Sequence, residues 1–204
     1  MTNNNKKISG CGVLLFYKNN NGKFRVFLIK EKRGIYNDIG GGKDAGETEI
    51  DTIKREIQEE SRGLFDLSKV ADKIFYVDVK STNNSYYRSF GVFLDISESD
   101  ILKIKSKYFE NMNIIDKDKT YKTTWKETID IHSFDIDTLL KGNNHSSVKY
   151  IDTDKKFYMI GMRPLNGLVA MFTNDKILNK ITSVKYKLEY GSNKVKNKIS
   201  IVSK

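Results

Sequence analysis

Three glutamates, Glu56, Glu59 and Glu60, lie within five consecutive residues of the chain. If this segment is helical, Glu59 and Glu60 are three and four residues after Glu56, so the three carboxylates share one face. Like charges this close repel one another and destabilise the helix, and a bound divalent cation would remove that penalty. Oxygen ligands without sulfur or imidazole select hard cations, so the spacing predicts Mg²⁺ or Mn²⁺ rather than zinc.

The residues around these glutamates predict the helix that carries them. Ile50, Ile53 and Ile57 recur at intervals of three and four residues, which places an apolar stripe opposite the carboxylates. Gly63 follows the end of that stripe, where a left-handed C-terminal cap is expected. The run Gly40-Gly41-Gly42 precedes the helix, and glycine permits close backbone approach and positive φ. A glycine-rich turn followed by an acidic helix is therefore expected here.

This segment resembles the Nudix box, G-x5-E-x7-R-E-U-x-E-E-x-G-U, in which U is an aliphatic residue. Gly41, Glu47 and the run Arg55-Glu56-Ile57-Gln58-Glu59-Glu60 fill its fixed positions at both internal spacings. The final glycine of the pattern arrives one residue late, at Gly63, and the turn before the box lacks the usual proline and lysine. The resemblance implies the Nudix fold, an α/β architecture in which a mixed β-sheet is sandwiched between helices, and metal-dependent hydrolysis of a diphosphate.

The resemblance also implies which groups hold the metal. The expected ligands are one backbone carbonyl and four carboxylates, those of Gly41, Glu56, Glu59, Glu60 and Glu127. Glu127 comes from outside the box, at the start of a strand-like run, and an ordinary surface role is its alternative. Glu56, Glu59 and Glu127 are each candidates for the general base, and the sequence does not choose among them.

Other charged residues are expected to support this chemistry. By resemblance, Glu47 and Arg55 form a salt bridge that joins the loop to the catalytic helix and keeps the carboxylates in place. Four cations near the predicted strand ends are candidates to bind substrate phosphates: Lys30, Lys32, Arg33 and Lys43. A solvated, non-binding loop is the alternative for the first three.

Apolar periodicity predicts the remaining elements. Strands are expected over residues 8–16, 24–29, 35–39, 74–79, 86–96, 127–132 and 155–162, the first two forming a hairpin. Helices are expected over 97–109, 135–140 and 164–181, the first of them capped by Ser97 with Asp100 three residues later. We expect one Nudix domain over residues 1–141 and a C-terminal extension over 142–204 packed on the same domain.

The composition limits the function classes. The chain has 36 Lys+Arg against 26 Asp+Glu, a formal charge of +10, and most of the cations are lysines. Lysine excess suits diffuse attraction to polyanions, so RNA contact through a basic surface is one interpretation and compositional drift the other. A single cysteine excludes a disulfide framework and a multi-cysteine zinc site. Without a signal peptide or a long apolar run, we expect a cytoplasmic protein with no membrane association.

The expected substrate is a nucleoside diphosphate linked to another group. The basic balance favours capped RNA, and the lysine- and asparagine-rich composition suits the Nudix mRNA-decapping enzymes of large DNA viruses, which would act in the host cytoplasm. Small nucleotides such as ADP-ribose or diadenosine polyphosphates, and diphosphoinositol polyphosphates, stay open. Two non-enzymatic alternatives are a catalytically inactive Nudix-fold module that binds a polyanion or RNA and a basic RNA-binding protein with an incidental box. The sequence does not indicate the oligomeric state.

Overall fold

A computed structural model describes residues 6–69, 74–81, 84–141, 148–151, 156–190 and 198–203. Its strands are β1 (Ile8–Lys18), β2 (Phe24–Glu31), β3 (Ile35–Asn37), β4 (Ile39–Gly42), β5 (Phe65–Asp66), β6 (Tyr76–Lys80), β7 (Tyr86–Leu94), β8 (Thr128–Asp135), β9 (Val148–Ile151), β10 (Phe157–Ile160), β11 (Lys185–Tyr190) and β12 (Ile199–Ser203). Its helices are α1 (Glu49–Glu60), α2 (Glu98–Lys117), α3 (Ile136–Lys141), α4 (Met162–Phe172) and α5 (Asp175–Ser183), with a 3-10 turn over Thr123–Lys126.

The described strands form one mixed sheet with β1 near its centre. The order is β5-β12-β11-β7-β1-β2-β3-β10-β9, while β4 also pairs with β1, β6 with β7 and β8 with β2. β1 runs parallel to β7 and antiparallel to β2 and β4. The hairpin predicted for the first two strands is confirmed, with Leu15 opposite Phe27.

Helices cover both faces of this sheet. Val13 and Leu15 of β1 belong to a core packed under α1 and α2, whereas Leu14 and Phe16 belong to a second core packed under α3, α4 and α5. All four side chains are fully buried, because successive residues of a strand point to opposite faces and each face is covered. The predicted α/β class, a mixed sheet between helices, is therefore confirmed.

Two predicted helices were wrong in extent. α2 continues to Lys117 rather than ending near residue 109. The polar Asn111 suggested a loop, but it is buried and its side-chain amide donates to the carbonyl of Arg62. The helix expected over 164–181 is two helices, because Asn174 caps a new N-terminus by accepting from the N–H groups of Lys176 and Ile177.

Residues beyond 141 contribute to the same sheet and to one of its faces. β10 pairs with β3, β11 pairs with β7, and β12 pairs with β5. Three segments of the expected extension, 142–147, 152–155 and 191–197, lie outside the described residues. The domain boundary at residue 141 stays a prediction. Among the helices that the structure describes, none is long and apolar enough to cross a membrane.

Candidate active site

Helix α1 is fixed by local interactions at both ends and along one face. The Thr48 side chain accepts from the Asp51 N–H, and the Asp51 carboxylate accepts from the Thr48 N–H at 3.0 Å, which completes a capping box. Ile53 and Ile57 are fully buried against the sheet. Gly63 has φ +67°, the left-handed conformation that the sequence predicted beyond the helix end. The face opposite the isoleucines is thereby turned away from the core.

Strand β4 brings a glycine backbone directly beneath this helix. Gly41 lies opposite Cys11 in the antiparallel ladder with β1. A Cβ on Gly41 would overlap the carboxylate of Glu56, and a Cβ on Gly40 would overlap the carbonyl oxygen of Cys11. The glycine turn expected from the sequence is wrong, because Gly40 and Gly41 belong to strand β4 and neither has positive φ. These glycines are therefore required for close approach, and their backbone conformation is ordinary.

Arg55 joins helix α1 to the segment before it, because it bonds both Gly42 and Glu47. Its Nε donates to Glu47 Oε1 at 2.7 Å and its Nη2 donates to Glu47 Oε2 at 3.0 Å, so the expected salt bridge is present and bidentate. Nη2 also donates to the Gly42 carbonyl at 2.9 Å. Nη1 lies 2.7 Å from Glu56 Oε1 and 3.7 Å from Glu59 Oε2. Hydrogen bonding to Arg55 lowers the pKa of Glu47 to about 2.

Two of the helix carboxylates are in an environment that disfavours their charge. Burial raises the pKa of Glu56, against the opposing charge of Arg55. Burial raises the pKa of Glu60 well above its ordinary value, although Arg163 and a hydrogen bond from the Gly40 N–H favour the ionised form. The Gly40 N–H donates to Glu60 Oε2 at 2.6 Å. Additional positive charge at this position would offset the cost of burying these groups.

The helix face and the glycine strand form one wall of a cleft of about 500 Å³. Of the residues named from sequence, the cleft is lined by Gly41, Arg55, Glu56, Glu59, Glu60, Glu127, Lys32 and Arg33. It is also lined by residues that were not predicted, among them Glu31, Thr124 and Arg163. The hydroxyl of Thr124 is buried and has no hydrogen-bond partner within the described part of the chain. Residues distant in sequence thus meet around one concave surface.

Within the described residues, no three His, Cys, Asp or Glu side chains converge closely enough to form a ready-made metal site. Glu56 is instead hydrogen-bonded to Arg55, and Glu60 to the Gly40 N–H. The donor set nevertheless fits a hard divalent cation, since carboxylate residues and three glycines line the cleft and neither histidine nor cysteine does. The absence of a side chain on Gly41 leaves the space that the Glu56 carboxylate occupies.

Glu127 is held at the cleft by contacts between the end of α1 and the start of β8, which we call the Arg62 joint because Arg62 makes most of them. The Arg62 guanidinium is buried and donates to the Thr128 carbonyl, next in sequence to Glu127. Its Nη1 lies 2.6 Å from Asp116 Oδ1 on α2. The Thr128 hydroxyl donates to the Glu60 carbonyl at 2.6 Å. Arg62 was not singled out from sequence, where only the late position of the following glycine indicated that the helix end was unusual.

Lys32 and Arg33 reach the cleft because the β2–β3 connection lies beside Glu127. The Lys32 N–H donates to the Glu127 carbonyl at 3.1 Å. Arg33 pairs with Glu31 at 2.5 Å, and about two thirds of its side chain is exposed. Both cations therefore lie on the rim, where a solvent-borne anion could reach them.

Three other residues named from sequence do not line the cleft. Glu47 lies behind Arg55, as its positioning role requires. Lys43 pairs with Glu49 at 3.2 Å. The Lys30 Nζ lies 5.7 Å from the centroid of the Tyr36 ring. Phosphate binding by Lys30 and Lys43 stays a prediction without a contact to the cleft.

A partly exposed arginine paired with a buried aspartate also borders the cleft. Arg163, in the first turn of α4, donates from Nε to Asp38 Oδ1 at 2.6 Å and from Nη2 to the Asp38 carbonyl at 3.2 Å. The Tyr87 hydroxyl donates to Asp38 Oδ2 at 3.1 Å. The sequence contained no spacing that linked these three residues, because they come from β7, α4 and the segment between β3 and β4.

Comparison with known proteins gives similarity to solved structures only. No family model matches the chain, and no curated protein matches it. A MutT/nudix family protein from Enterococcus faecalis aligns at 11% identity with a TM-score of 0.45, over 88% of this chain and 69% of that one. An Ap4A hydrolase from C. elegans aligns at 12% identity with a TM-score of 0.42, over 82% of this chain and 99% of that one.

A third solved structure is a Nudix hydrolase from M. smegmatis, at 15% identity and a TM-score of 0.30. The alignment covers 42% of this chain and spans only 60% of that one. Two of these neighbours are described as hydrolases and the third as a MutT/nudix family protein, and the similarities are low. We therefore infer the chemistry from the side chains of this chain.

Proposed function

We propose that the protein is a divalent-metal-dependent hydrolase of the Nudix type that cleaves a diphosphate linkage in a nucleoside-diphosphate-linked substrate. The observation that carries the proposal is Arg55, which binds Glu47 through two hydrogen bonds and also contacts Glu56 and Glu59 at the cleft. A solvated acidic helix face would need neither a closely packed glycine strand beneath it nor an arginine with these contacts.

The carboxylates of Glu56, Glu59, Glu60 and Glu127, with the Gly41 carbonyl, would hold Mg²⁺ or Mn²⁺. When bound, the metal supplies charge neutralisation of the diphosphate and acidifies a bound water. Arg55 bonds both Glu47 and the Gly42 carbonyl, so it would hold α1 against strand β4. The carboxylates would then face the substrate from one side. Lys32 and Arg33 on the rim would bind the outer phosphate oxygens.

A carboxylate accepts the proton of the attacking water. Glu56, Glu59 and Glu127 all line the cleft and remain candidates for this role. Glu56 is buried and bonded to Arg55, whereas Glu127 is exposed at the rim. The pH dependence of kcat in the Glu127→Gln variant tests whether Glu127 is the base, since loss of the base removes the acidic limb of the profile and loss of a rim residue does not.

Capped RNA is the substrate we favour, because the excess of lysine attracts a large polyanion. ADP-ribose, dinucleoside polyphosphates and diphosphoinositol polyphosphates are the alternatives for the same cleft. Kinship with viral decapping enzymes and action in the cytoplasm are part of this proposal and rest on composition alone.

A substrate panel tests the proposal. Capped RNA, ADP-ribose, nucleoside triphosphates, diadenosine polyphosphates and diphosphoinositols are incubated with Mg²⁺ or Mn²⁺, and the phosphorus products are identified by ³¹P NMR. We expect cleavage of at least one substrate, abolished by chelation and reduced at least about 100-fold by Glu59→Gln.

Glu49→Gln is the matched control, because Glu49 lies on the same helix but does not line the cleft. It should leave the rate within about twofold of wild type, because Glu49 is partly exposed and pairs with Lys43 outside the cleft. Turnover that persists in Glu59→Gln would contradict the proposed roles. Salt-sensitive RNA binding that survives Glu59→Gln, with no cleavage of any substrate, would favour the non-catalytic polyanion-binding alternative.

A further inference from the structure

Arg163 is the one arginine that reaches the cleft from the segment after residue 141, within the described residues. It lies in the first turn of α4, and its side chain retains 31% of its accessible surface. Besides the main cleft, it lines two adjoining hollows of about 240 and 330 Å³. Arg163 therefore borders the main cleft and the two hollows next to it.

The partners of Arg163 fix its orientation without using all of its donors. Nε and Nη2 are bound by the side chain and carbonyl of Asp38. No partner of Nη1 is found among the described residues. The guanidinium carbon lies 5.1 Å from the centroid of the Tyr87 ring, a cation–π arrangement. A preorganised arginine with an unused donor is suited to binding an anion, because little rotational freedom remains to be lost.

The sheet is built to accommodate this arrangement. Asp38 is fully buried. A Cβ on Gly12 would overlap both Asp38 Oδ2 and the Tyr87 hydroxyl, and a Cβ on Gly40 would also overlap that hydroxyl. A buried ion pair is weak evidence for stability, since well-packed apolar residues of similar volume are often at least as stabilising. A role in ligand binding explains why the charged partners lie at the cleft.

We propose that Arg163 is a substrate-binding residue whose guanidinium contacts a phosphate oxygen of the diphosphate, and that Asp38 and Tyr87 position it. The proposal rests on the proposed function, because the anion is the diphosphate that the α1 carboxylates act on. It makes the segment after residue 141 a part of the active site. Arginine is the expected residue type, because its planar fork matches the phosphate group.

The structure provides a matched control for this arginine. Arg88 pairs with Asp78 at 2.8 Å and lies over the Tyr76 ring at 3.8 Å, so it repeats the arginine–aspartate–tyrosine arrangement. It does not line the cleft. Removing Arg88 breaks the same kinds of contact at a distance from the chemistry, and it therefore measures the purely structural cost.

The test compares wild type with Arg163→Met, Arg163→Lys and Arg88→Met. Calorimetry measures binding of methylenediphosphonate, a diphosphate analogue without a hydrolysable bridge, in the presence of Mg²⁺. Steady-state kinetics use the substrate that the panel identifies. We expect Arg163→Met to weaken analogue binding and raise KM by about 10- to 100-fold, the range for a hydrogen bond to a charged group, with kcat changed far less.

Arg163→Lys keeps the charge and can keep the pair with Asp38, so it provides the readout if Arg163→Met does not fold. It should raise KM several-fold with an unchanged melting temperature, whereas Arg88→Met should leave both KM and analogue affinity unchanged. Wild-type KM and analogue affinity in a folded Arg163 variant would overturn the proposal while leaving the hydrolase assignment intact. Absence of turnover in wild type would instead refute the proposed function.

Discussion

Two arginines enter the cleft from two different regions of the molecule. Arg55 belongs to the loop and helix of residues 40–60 and is held by Glu47, eight residues away. Arg163 belongs to α4 and is held by Asp38, 125 residues away. The first pair depends on one helix and the loop before it, whereas the second exists only once the sheet and α4 have assembled. The wall formed by α1 and β4 is thus a local structure, whereas the Arg163 side of the cleft is a tertiary one.

The sharpest contrast between the two arginines is kinetic. Arg55→Met removes the contacts to Glu47, Glu56 and Glu59 and should lower kcat on the order of 100-fold, the upper range for residues that orient metal ligands. KM should change little, because Arg55 supports the carboxylates and Arg163 binds the substrate. Steady-state kinetics of the two variants measure the split. A raised KM with normal kcat in Arg55→Met would show that Arg55, like Arg163, acts in substrate binding.

The tertiary joint at Arg62 should control stability. Arg62→Met leaves the Thr128 carbonyl without its buried donor and should lower the free energy of unfolding by about 1–3 kcal/mol. Asp116→Asn should cost less than about 1 kcal/mol, because nearly half of the Asp116 side chain is exposed. Urea unfolding of the two variants gives both values. If both variants lost the same free energy of unfolding, the ion pair with Asp116 would account for the stability, and the hydrogen bond to the Thr128 carbonyl would not.

The fit between strand β4 and α1 can be disturbed by one methyl group. Gly41→Ala places a Cβ where the Glu56 carboxylate lies, so that side chain must move and kcat should fall about tenfold. The melting temperature should stay near wild type, since the displaced atoms are the end of a flexible side chain. In Gly42→Ala the Cβ meets open space, and the rate should be unchanged. Equal rates in the two variants would show that the Glu56 position is not critical.

The smallest effect concerns pH and the local pair. Because the pKa of Glu47 is about 2 in the folded protein and 4.5 ordinarily, its ionised form is stabilised by folding. That stability is complete above pH 4.5 and is lost as pH falls toward 2. Thermal melts should give a difference between wild type and Glu47→Gln that is constant near neutral pH and narrows below pH 4.5. A difference that persists unchanged at pH 3 would contradict the ionic origin of the contribution.

The sequence predicted the contacts within residues 41–63 well, and it did not predict the contacts of Arg163. The Glu47–Arg55 pair, the helix and the Gly63 cap follow from spacing over some twenty residues, within which helix geometry fixes which side chains meet. Asp38 and Arg163 carry no such relation, because their contact depends on β3 pairing with β10 before α4 begins. Contacts between residues so far apart in sequence produce no repeating pattern from which they could be predicted.

Burial of a polar residue accounts for the wrong predicted end of α2. Asn111 is buried and bonded to the Arg62 carbonyl, so a residue typical of loops lies within α2. Lys30 lies within β2 and Lys43 follows β4, and their contacts are with Tyr36 and Glu49. A position near Gly40–Gly42 in the sequence does not indicate which cations line the cleft, because that depends on how the strands pair.

On our proposal the outward face of α1 holds a divalent cation, and we would measure this by titrating Mn²⁺ into the protein and following it by electron paramagnetic resonance. Wild type and Glu49→Gln should take up Mn²⁺ with the same affinity, and Glu59→Gln should bind it at least about tenfold more weakly, the cost expected for perturbing a metal site. Equal Mn²⁺ uptake by all three proteins, or no uptake by wild type, would contradict the claim.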